Sequence, residues 1–303
     1  MSLFGPELLK RFHYLSLIAA RMGESPLLTT RQKRLPAGGT EVTGFRDYSP
    51  GDNFYHVYWT WCARGDELLV KVFEREPDRH VHLLLDGSSS MGLGRPAKFH
   101  LARQIAAALG YVSLVNSHRV DVGAMIGDSV SQLPPLGHVS QLPQLLRFLE
   151  RLEPGDTRVD LARGVEIFLR RRPRPGPVVV LSDLYDPAGY QRALEMLRYQ
   201  GYEPRLVQIF DRRENDPQLL GDVELFDAQT QTVRQVTITE RTARLYRELM
   251  LKFHASVRDF CSRHGIYHIP LACDMPEEDV LLRVLGAKRD GRIEKPRPAT
   301  SIP

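Results

Sequence analysis

Asp86, Ser88 and Ser90 alternate along the run V-H-L-L-L-D-G-S-S-S-M at residues 81–91. One carboxylate and two hydroxyls are hard oxygen donors, which suit Mg²⁺, Mn²⁺ or Ca²⁺ better than zinc or copper, ions that prefer nitrogen and sulfur. The apolar run His82 to Leu85 reads as a buried strand that ends on Asp86, so these donors stand at a strand's carboxyl end. A second apolar strand, P-V-V-V-L-S at 177–182, ends in the same way on Asp183. Between them lies G-D-T-R-V-D-L-A, where Thr157 directly precedes a helix and offers a hydroxyl from a third loop. In an open parallel sheet, ligands bind outside the carboxyl ends of strands. Asp86, Ser88, Ser90, Thr157 and Asp183 are therefore the candidate ligands of one divalent-cation site, for Mg²⁺ or else Mn²⁺ or Ca²⁺.

The first loop taken alone reads equally well as a helix N-cap, a Ser or Asp accepting from the free amides of a helix start. That reading also fits Thr157, and it suits Asp156 or Asp160 better still. The agreement of three loops with the strand order favours the cation. An ion held by only two carboxylates keeps residual positive charge, so an acidic side chain from outside can complete its shell.

These loops need a scaffold. From residue 79 onward strands and helices alternate, the signature of a mostly parallel sheet covered on both faces. Helices are predicted over 97–115, 139–152, 160–171, 188–199, 240–264 and 277–285. Strands are predicted over 82–85, 120–126, 129–133, 177–182, 205–210 and 266–271. Residues 222–238 alternate apolar and polar around a polar turn, which predicts a hairpin insertion with one solvated face. Upstream, Leu8, Leu9, Phe12, Leu15, Ile18 and Ala19 recur at helical spacing and predict an amphipathic helix over 6–22. Residues 31–53 read as turns around short strands, and 68–73 as a strand. The predicted organisation is an N-terminal helix with a small β-rich subdomain at 1–78, an α/β domain at 79–285, and a disordered tail at 286–303.

Composition excludes several classes. The formal charge of +4 comes from 41 basic against 37 acidic residues, too even a balance for a dedicated nucleic-acid binder. Cys62, Cys261 and Cys273 make neither an even disulfide set nor a C-x-x-C pair, which suits a reducing compartment, the cytoplasm by default. No run approaches the roughly 18 apolar residues of a membrane span, so neither membrane insertion nor secretion is expected.

Enzyme readings rank lower. Gly87-Ser88-Ser89-Ser90-Met91 misses the last position of G-x-S-x-G, and no Walker motif is present. The better enzymatic alternative is a metal-dependent phosphohydrolase with Asp86 as nucleophile, but the position two residues on is Ser88, where an acid or base is wanted. His82, His100 and His118 lie in no metal-binding spacing. Arg170, Arg171, Arg172 and Arg174 offer a second alternative, contact with nucleic acid or an anionic surface. Cations at a helix C-terminus explain them more simply.

The five candidate ligands resemble the metal-ion-dependent adhesion site of the von Willebrand factor type A fold, with D-x-S-x-S after the first strand, a Thr in the second loop and an Asp in the third. The upstream R-x-Y-x-x-G-D at 46–52 and W-x-x-x-A-R at 59–64 are similar to the bacterial family called domain of unknown function 58. The resemblance implies a type A-like, Rossmann-like doubly wound fold and Mg²⁺ as the cofactor. It also implies an acidic side chain of a protein partner as the last ligand, and work beside a MoxR-type AAA+ ATPase in assembling or maturing a protein complex. For the upstream segment the residues alone suggest core aromatics in Tyr48, Trp59 and Trp61, with Arg46 and Arg64 pairing acids such as Asp52.

Overall fold

A computed structural model describes residues 25–28, 42–47, 69–73, 79–171, 173–217, 219–226 and 232–286. The predicted helix at 6–22, the tail beyond Gly286 and most of the two upstream motifs lie outside these residues. The chain divides into two compact units, one of residues 31–79 and one of residues 1–30 with 80–303. In the smaller unit, β1 (Val42–Asp47) pairs antiparallel with β2 (Leu69–Phe73).

The larger unit is built on a six-stranded sheet. Its strands are β3 (His80–Asp86), β4 (Arg119–Ile126), β5 (Ser129–Leu136), β6 (Pro177–Ser182), β7 (Glu203–Phe210) and, beyond a separate hairpin of β8 (Gly221–Phe226) and β9 (Val233–Ile238), β10 (Tyr267–Ala272). The order is β10-β7-β6-β3-β4-β5, and only the β4–β5 pair is antiparallel. The helices are α1 (Lys98–Val115), α2 (Leu142–Arg151), α3 (Leu161–Arg170), α4 (Gln191–Tyr199), α5 (Glu240–Arg263) and α6 (Glu277–Leu285).

Side chains alternate across a strand, so each strand feeds two cores. Leu83 and Leu85 of β3 and Val179 and Leu181 of β6 pack with α1, α2 and α6 on one face. Leu84, Val178 and Val180 pack with α3, α4 and the end of α5 on the other. The fold is therefore a doubly wound α/β sheet, as its alternating pattern predicts. Leu27 and Leu28 join the first core, and the Ser25 hydroxyl donates to the Val284 carbonyl at 2.6 Å.

Several boundaries differ from expectation for local reasons. β5 runs on through Pro134 and Pro135, because an edge strand has one side that needs no ladder donors. The helix expected from 139 opens as a separate 3₁₀ turn, Val139–Gln141, with His138 Nδ1 accepting from the Ser140 amide. Gly189, at φ +88°, delays α4 to Gln191. The hairpin was expected to have one solvated face, yet apart from Val223 and Ile238 its strand residues are exposed on both.

Candidate metal-binding site

β3 crosses through α1 to β4 on one side, whereas β6 lies on the other side of β3. The crevice between β3 and β6 is thus the topological switch point, where neighbouring loops diverge and leave room for a ligand. Asp86 ends β3 and Asp183 follows β6, so the two carboxylates stand there together, 3% and 1% exposed.

The first loop is held by its own hydrogen bonds. Asp86 Oδ1 accepts from the Ser88 amide at 2.9 Å, and Oδ2 accepts from the Ser182 hydroxyl at 2.6 Å. Ser182 Oγ in turn accepts from the Leu184 amide at 2.8 Å, and Leu184 sits in the left-handed region at φ 65°, a turn that redirects the chain directly after Asp183. Gly87 is needed for close approach, since a Cβ there would lie 2.8 Å from the Met125 carbonyl oxygen. Ser88 precedes a 3₁₀ turn, Ser89–Gly92, but its side chain makes no capping bond. Its Oγ lies 3.0 Å from Ser90 Oγ, and both residues are buried. The N-cap explanation therefore does not account for Ser88.

The second loop is tied to the first through main chain. Ser89 donates to the Thr157 carbonyl at 3.1 Å, and Gly155 donates to the Gly87 carbonyl at 2.8 Å. Thr157 is exposed, and its Oγ1 lies 3.2 Å from where a Cβ on Gly127 would stand, so that hydroxyl faces the Gly127 turn. Thr157 does not directly precede the helix: α3 starts at Leu161, and its N-cap is Asp160, whose Oδ1 accepts from the Arg163 amide at 2.9 Å.

Three partners in the site were missed by sequence reasoning. Ser182 is the hydroxyl donor to Asp86 just described. Lys98, the first residue of α1, is wholly buried, with Nζ 2.8 Å from Asp183 Oδ2 and 2.7 and 2.9 Å from the two oxygens of Glu214. Glu214 lies in an unpredicted helical turn, Arg212–Asn215, after β7. A signal for Lys98 existed: a cation at a helix N-terminus opposes the macrodipole and needs a local reason to be there. Nothing comparable marks Glu214, because its contact depends on the packing of β7 beside β6.

These surroundings set the charges. Burial, and then the neighbouring Asp183, push the Asp86 carboxyl up to about 6. Burial also works against the Lys98 ammonium, but Asp183 and Glu214 outweigh it and hold its pKa above the ordinary lysine value. Tyr185 packs under Lys98, with Nζ 4.8 Å from the ring centroid, and burial followed by Glu214 and Asp183 pushes its phenol well upward.

The donor set fits a hard divalent cation. Octahedral Mg²⁺ with oxygens at about 2.0–2.1 Å has adjacent ligand oxygens about 2.8–3.0 Å apart. The Ser88 and Ser90 hydroxyl oxygens, at 3.0 Å, match that edge. Asp86, Asp183 and Glu214 against Lys98 leave two formal negative charges, which one divalent ion balances. The residues that would hold it are Asp86, Ser88, Ser90 and Asp183.

A raised carboxyl pKa means that ionisation of Asp86 opposes folding. In metal-free protein that cost is absent below the unfolded carboxyl pKa near 4, grows with pH, and is complete above about pH 6. Asp86→Asn in chelator is therefore expected to stabilise the protein at pH 7.5 by up to about 3 kcal/mol, with no gain at pH 4. Urea melts at the two pH values check this.

The other polar candidates lie elsewhere. His82 is buried near the amino end of β3, with Nε2 2.9 Å from the Arg174 carbonyl oxygen and Nδ1 3.0 Å from Asp121 Oδ2. Arg170 and Arg171 occupy the last turn and C-cap of α3, where cations suit the dipole. Among the described residues no group of three or more His, Cys, Asp or Glu side chains is placed to hold a metal. None of their helices is long and apolar enough to cross a membrane. Cys261 and Cys273 are free and buried, and burial pushes the Cys261 thiol up to about 12.

With this geometry in hand, a family model described as protein of unknown function DUF58 matches residues 44–255. The chain belongs to the DUF58 family. Its relatives include uncharacterized proteins of Mycobacterium bovis (Mb1516) and Mycobacterium tuberculosis (Rv1480), each 27% identical over 210 residues. The alignment covers 67% of this chain and 65% of each relative, so this DUF58 chain matches somewhat less than two thirds of their length. Among solved structures, BatB from Bacteroides thetaiotaomicron is 12% identical and covers 68% of this chain and 95% of its own, at a TM-score of 0.41. An aerotolerance-related membrane protein from Bacteroides fragilis is 14% identical, with 68% and 96% covered and a TM-score of 0.42.

Proposed function

We propose that this DUF58 protein is a non-catalytic protein-binding module that recognises its partner through a divalent cation, Mg²⁺ foremost. Asp86, Ser88, Ser90 and Asp183 hold the ion, and Thr157 serves it through its main chain, whose carbonyl accepts from the Ser89 amide. The observation that carries this reading is the hydroxyl pair of Ser88 and Ser90 beside two buried carboxylates at the switch point. Two carboxylates and two neutral hydroxyls fall short of the six oxygens such an ion takes, and an Asp or Glu of the partner fills a remaining position with a short, oriented, charged bond. By family resemblance, the ATP-driven step belongs to a MoxR-type AAA+ ATPase, with this chain as the recognition element in assembly or maturation of a protein complex.

A phosphohydrolase receives less support from the same atoms. Both Asp86 oxygens already accept hydrogen bonds, from the Ser88 amide and the Ser182 hydroxyl, which ties down a would-be nucleophile. Binding of purified MoxR-type ATPase or of an acidic peptide, measured by calorimetry in Mg²⁺ and in EDTA, tests the proposal. Binding present only with the metal is the expected result, and equal binding in both buffers would overturn it.

A further inference from the structure

The Lys98 side chain is wholly buried, and it is shared between two carboxylates from different parts of the chain. Asp183 follows β6 and Glu214 follows β7, so the ammonium bridges two adjacent strand ends as well as starting α1. A buried ammonium is tolerated only when paired, and here the pairing consumes one oxygen of a candidate metal ligand. Asp183 Oδ2 accepts from Lys98 while Oδ1 accepts from the Tyr185 amide at 3.1 Å. A divalent ion bound at Asp183 therefore shares that carboxylate with a fixed positive charge, the Lys98 ammonium 2.8 Å from Oδ2. Glu214 acts in the opposite sense: both of its oxygens hold Lys98, and its charge offsets the ammonium.

We infer that Lys98 and Glu214 form an opposed charge pair that sets the divalent-cation affinity of the site, Lys98 lowering it and Glu214 raising it. The inference rests on the metal reading of Asp86, Ser88, Ser90 and Asp183. Formal charges make it quantitative. The native cluster of Asp86, Asp183, Glu214 and Lys98 carries two negative charges. Lys98→Met leaves three, Glu214→Gln leaves one, and the double substitution restores two. Affinity then follows the charge and not the number of residues altered. Lys98 also keeps the site, before a partner joins, from holding its ion too firmly, so that the partner's carboxylate adds decisively to retention of the metal. Recognition and metal occupancy become mutually dependent, since each ligand binds better when the other is present.

Titration of the full chain with Mn²⁺, followed by the loss of the free-ion electron paramagnetic resonance signal, tests the pair. Lys98→Met is expected to tighten Mn²⁺ binding by about tenfold or more and Glu214→Gln to weaken it by about as much. The double variant is expected to return to within about threefold of the native protein. Circular dichroism checks that each variant folds. If Lys98→Met does not fold, Glu214→Gln decides alone, because Glu214 is partly exposed and glutamine preserves an oxygen for Lys98. Native-like Mn²⁺ affinity in Glu214→Gln, or unchanged or weaker binding in folded Lys98→Met, overturns the inference. Asp86→Ala separates the two levels: if the native protein binds Mn²⁺ no better than Asp86→Ala, the metal reading itself has failed, and this inference with it.

Discussion

Asp86→Ala is expected to abolish metal-dependent partner binding while leaving the sheet folded. The carboxylate is the only charged candidate ligand in the first loop, and Ser88 and Ser90 cannot replace its charge. Loss of a group that merely hydrogen-bonds to a metal ligand costs about 10–100-fold in metal affinity, so loss of this ligand should cost at least about a hundredfold. The structural cost is two orphaned donors, the Ser88 amide and the Ser182 hydroxyl, at about 1–3 kcal/mol each when unsatisfied. Removing the carboxylate also relieves its repulsion with Asp183, which offsets part of that cost. Ser88→Ala takes away a neutral ligand and is expected to weaken binding less, by about 10-fold. Calorimetry against the acidic partner in Mg²⁺, with circular dichroism as the folding control, checks both. Undiminished binding by folded Asp86→Ala would retire the adhesion-site proposal.

Phe168→Ala is expected to do the reverse, weakening the fold without touching the ligand set. Phe168 of α3 is 1% exposed and packs edge-on against His82 and Tyr202, with ring centroids 5.2 and 5.6 Å away. His82 and Tyr202 also meet edge-on, at 5.7 Å, so the three rings form a closed set under α3 near the amino end of β3. Their polar atoms are engaged at the rim: Tyr202 donates its hydroxyl to the Pro173 carbonyl, and His82 contacts the Arg174 carbonyl. Removing the central ring leaves a cavity that two strands cannot collapse into, since β3 is paired on both sides. The expected loss is about 3–5 kcal/mol, at the upper range for buried aromatic truncation. Urea unfolding measures it, and Mn²⁺ affinity of the folded variant should stay within about twofold of native, because the ligands lie at the other end of β3. A loss below about 1 kcal/mol would show that this cluster is not part of the cooperative core.

The two experiments separate the poles of one strand. At its carboxyl end β3 delivers Asp86 to a polar crevice, and at its amino end it delivers His82 to an aromatic pocket. Both side chains point to the same face, two pairs of residues apart, and the difference in role comes from what the neighbouring loops supply.

Much of this was legible in order along the chain. Apart from His82 and the closing Ser182, the runs before Asp86 and Asp183 are apolar without alternation, and such runs bounded by turn residues mean strands buried on both faces. Parallel strands place every carboxyl end at the same edge, so two aspartates at strand ends had to share a side of the sheet. The hairpin at 221–238 was legible as a pairing, but its exposure on both faces was not, because alternation reports a pattern of residues and not what lies against them. Thr157 was readable as a polar residue before a helix. The direction of its hydroxyl depends on the Gly127 turn, 30 positions away, and no local pattern carries that.

By itself the sequence determined the class of fold, the strand ends and the hard oxygen donors at them, because hydrophobic period and residue chemistry are local properties. Only the tertiary structure decided that β6 lies beside β3 at the switch point, which brings Asp183 next to Asp86. It also decided that a lysine from the start of α1 reaches across to Asp183 and Glu214. Contacts of that kind depend on the order of strands in the sheet, and the energy that sets the order is summed over two whole cores, beyond the reach of any short motif.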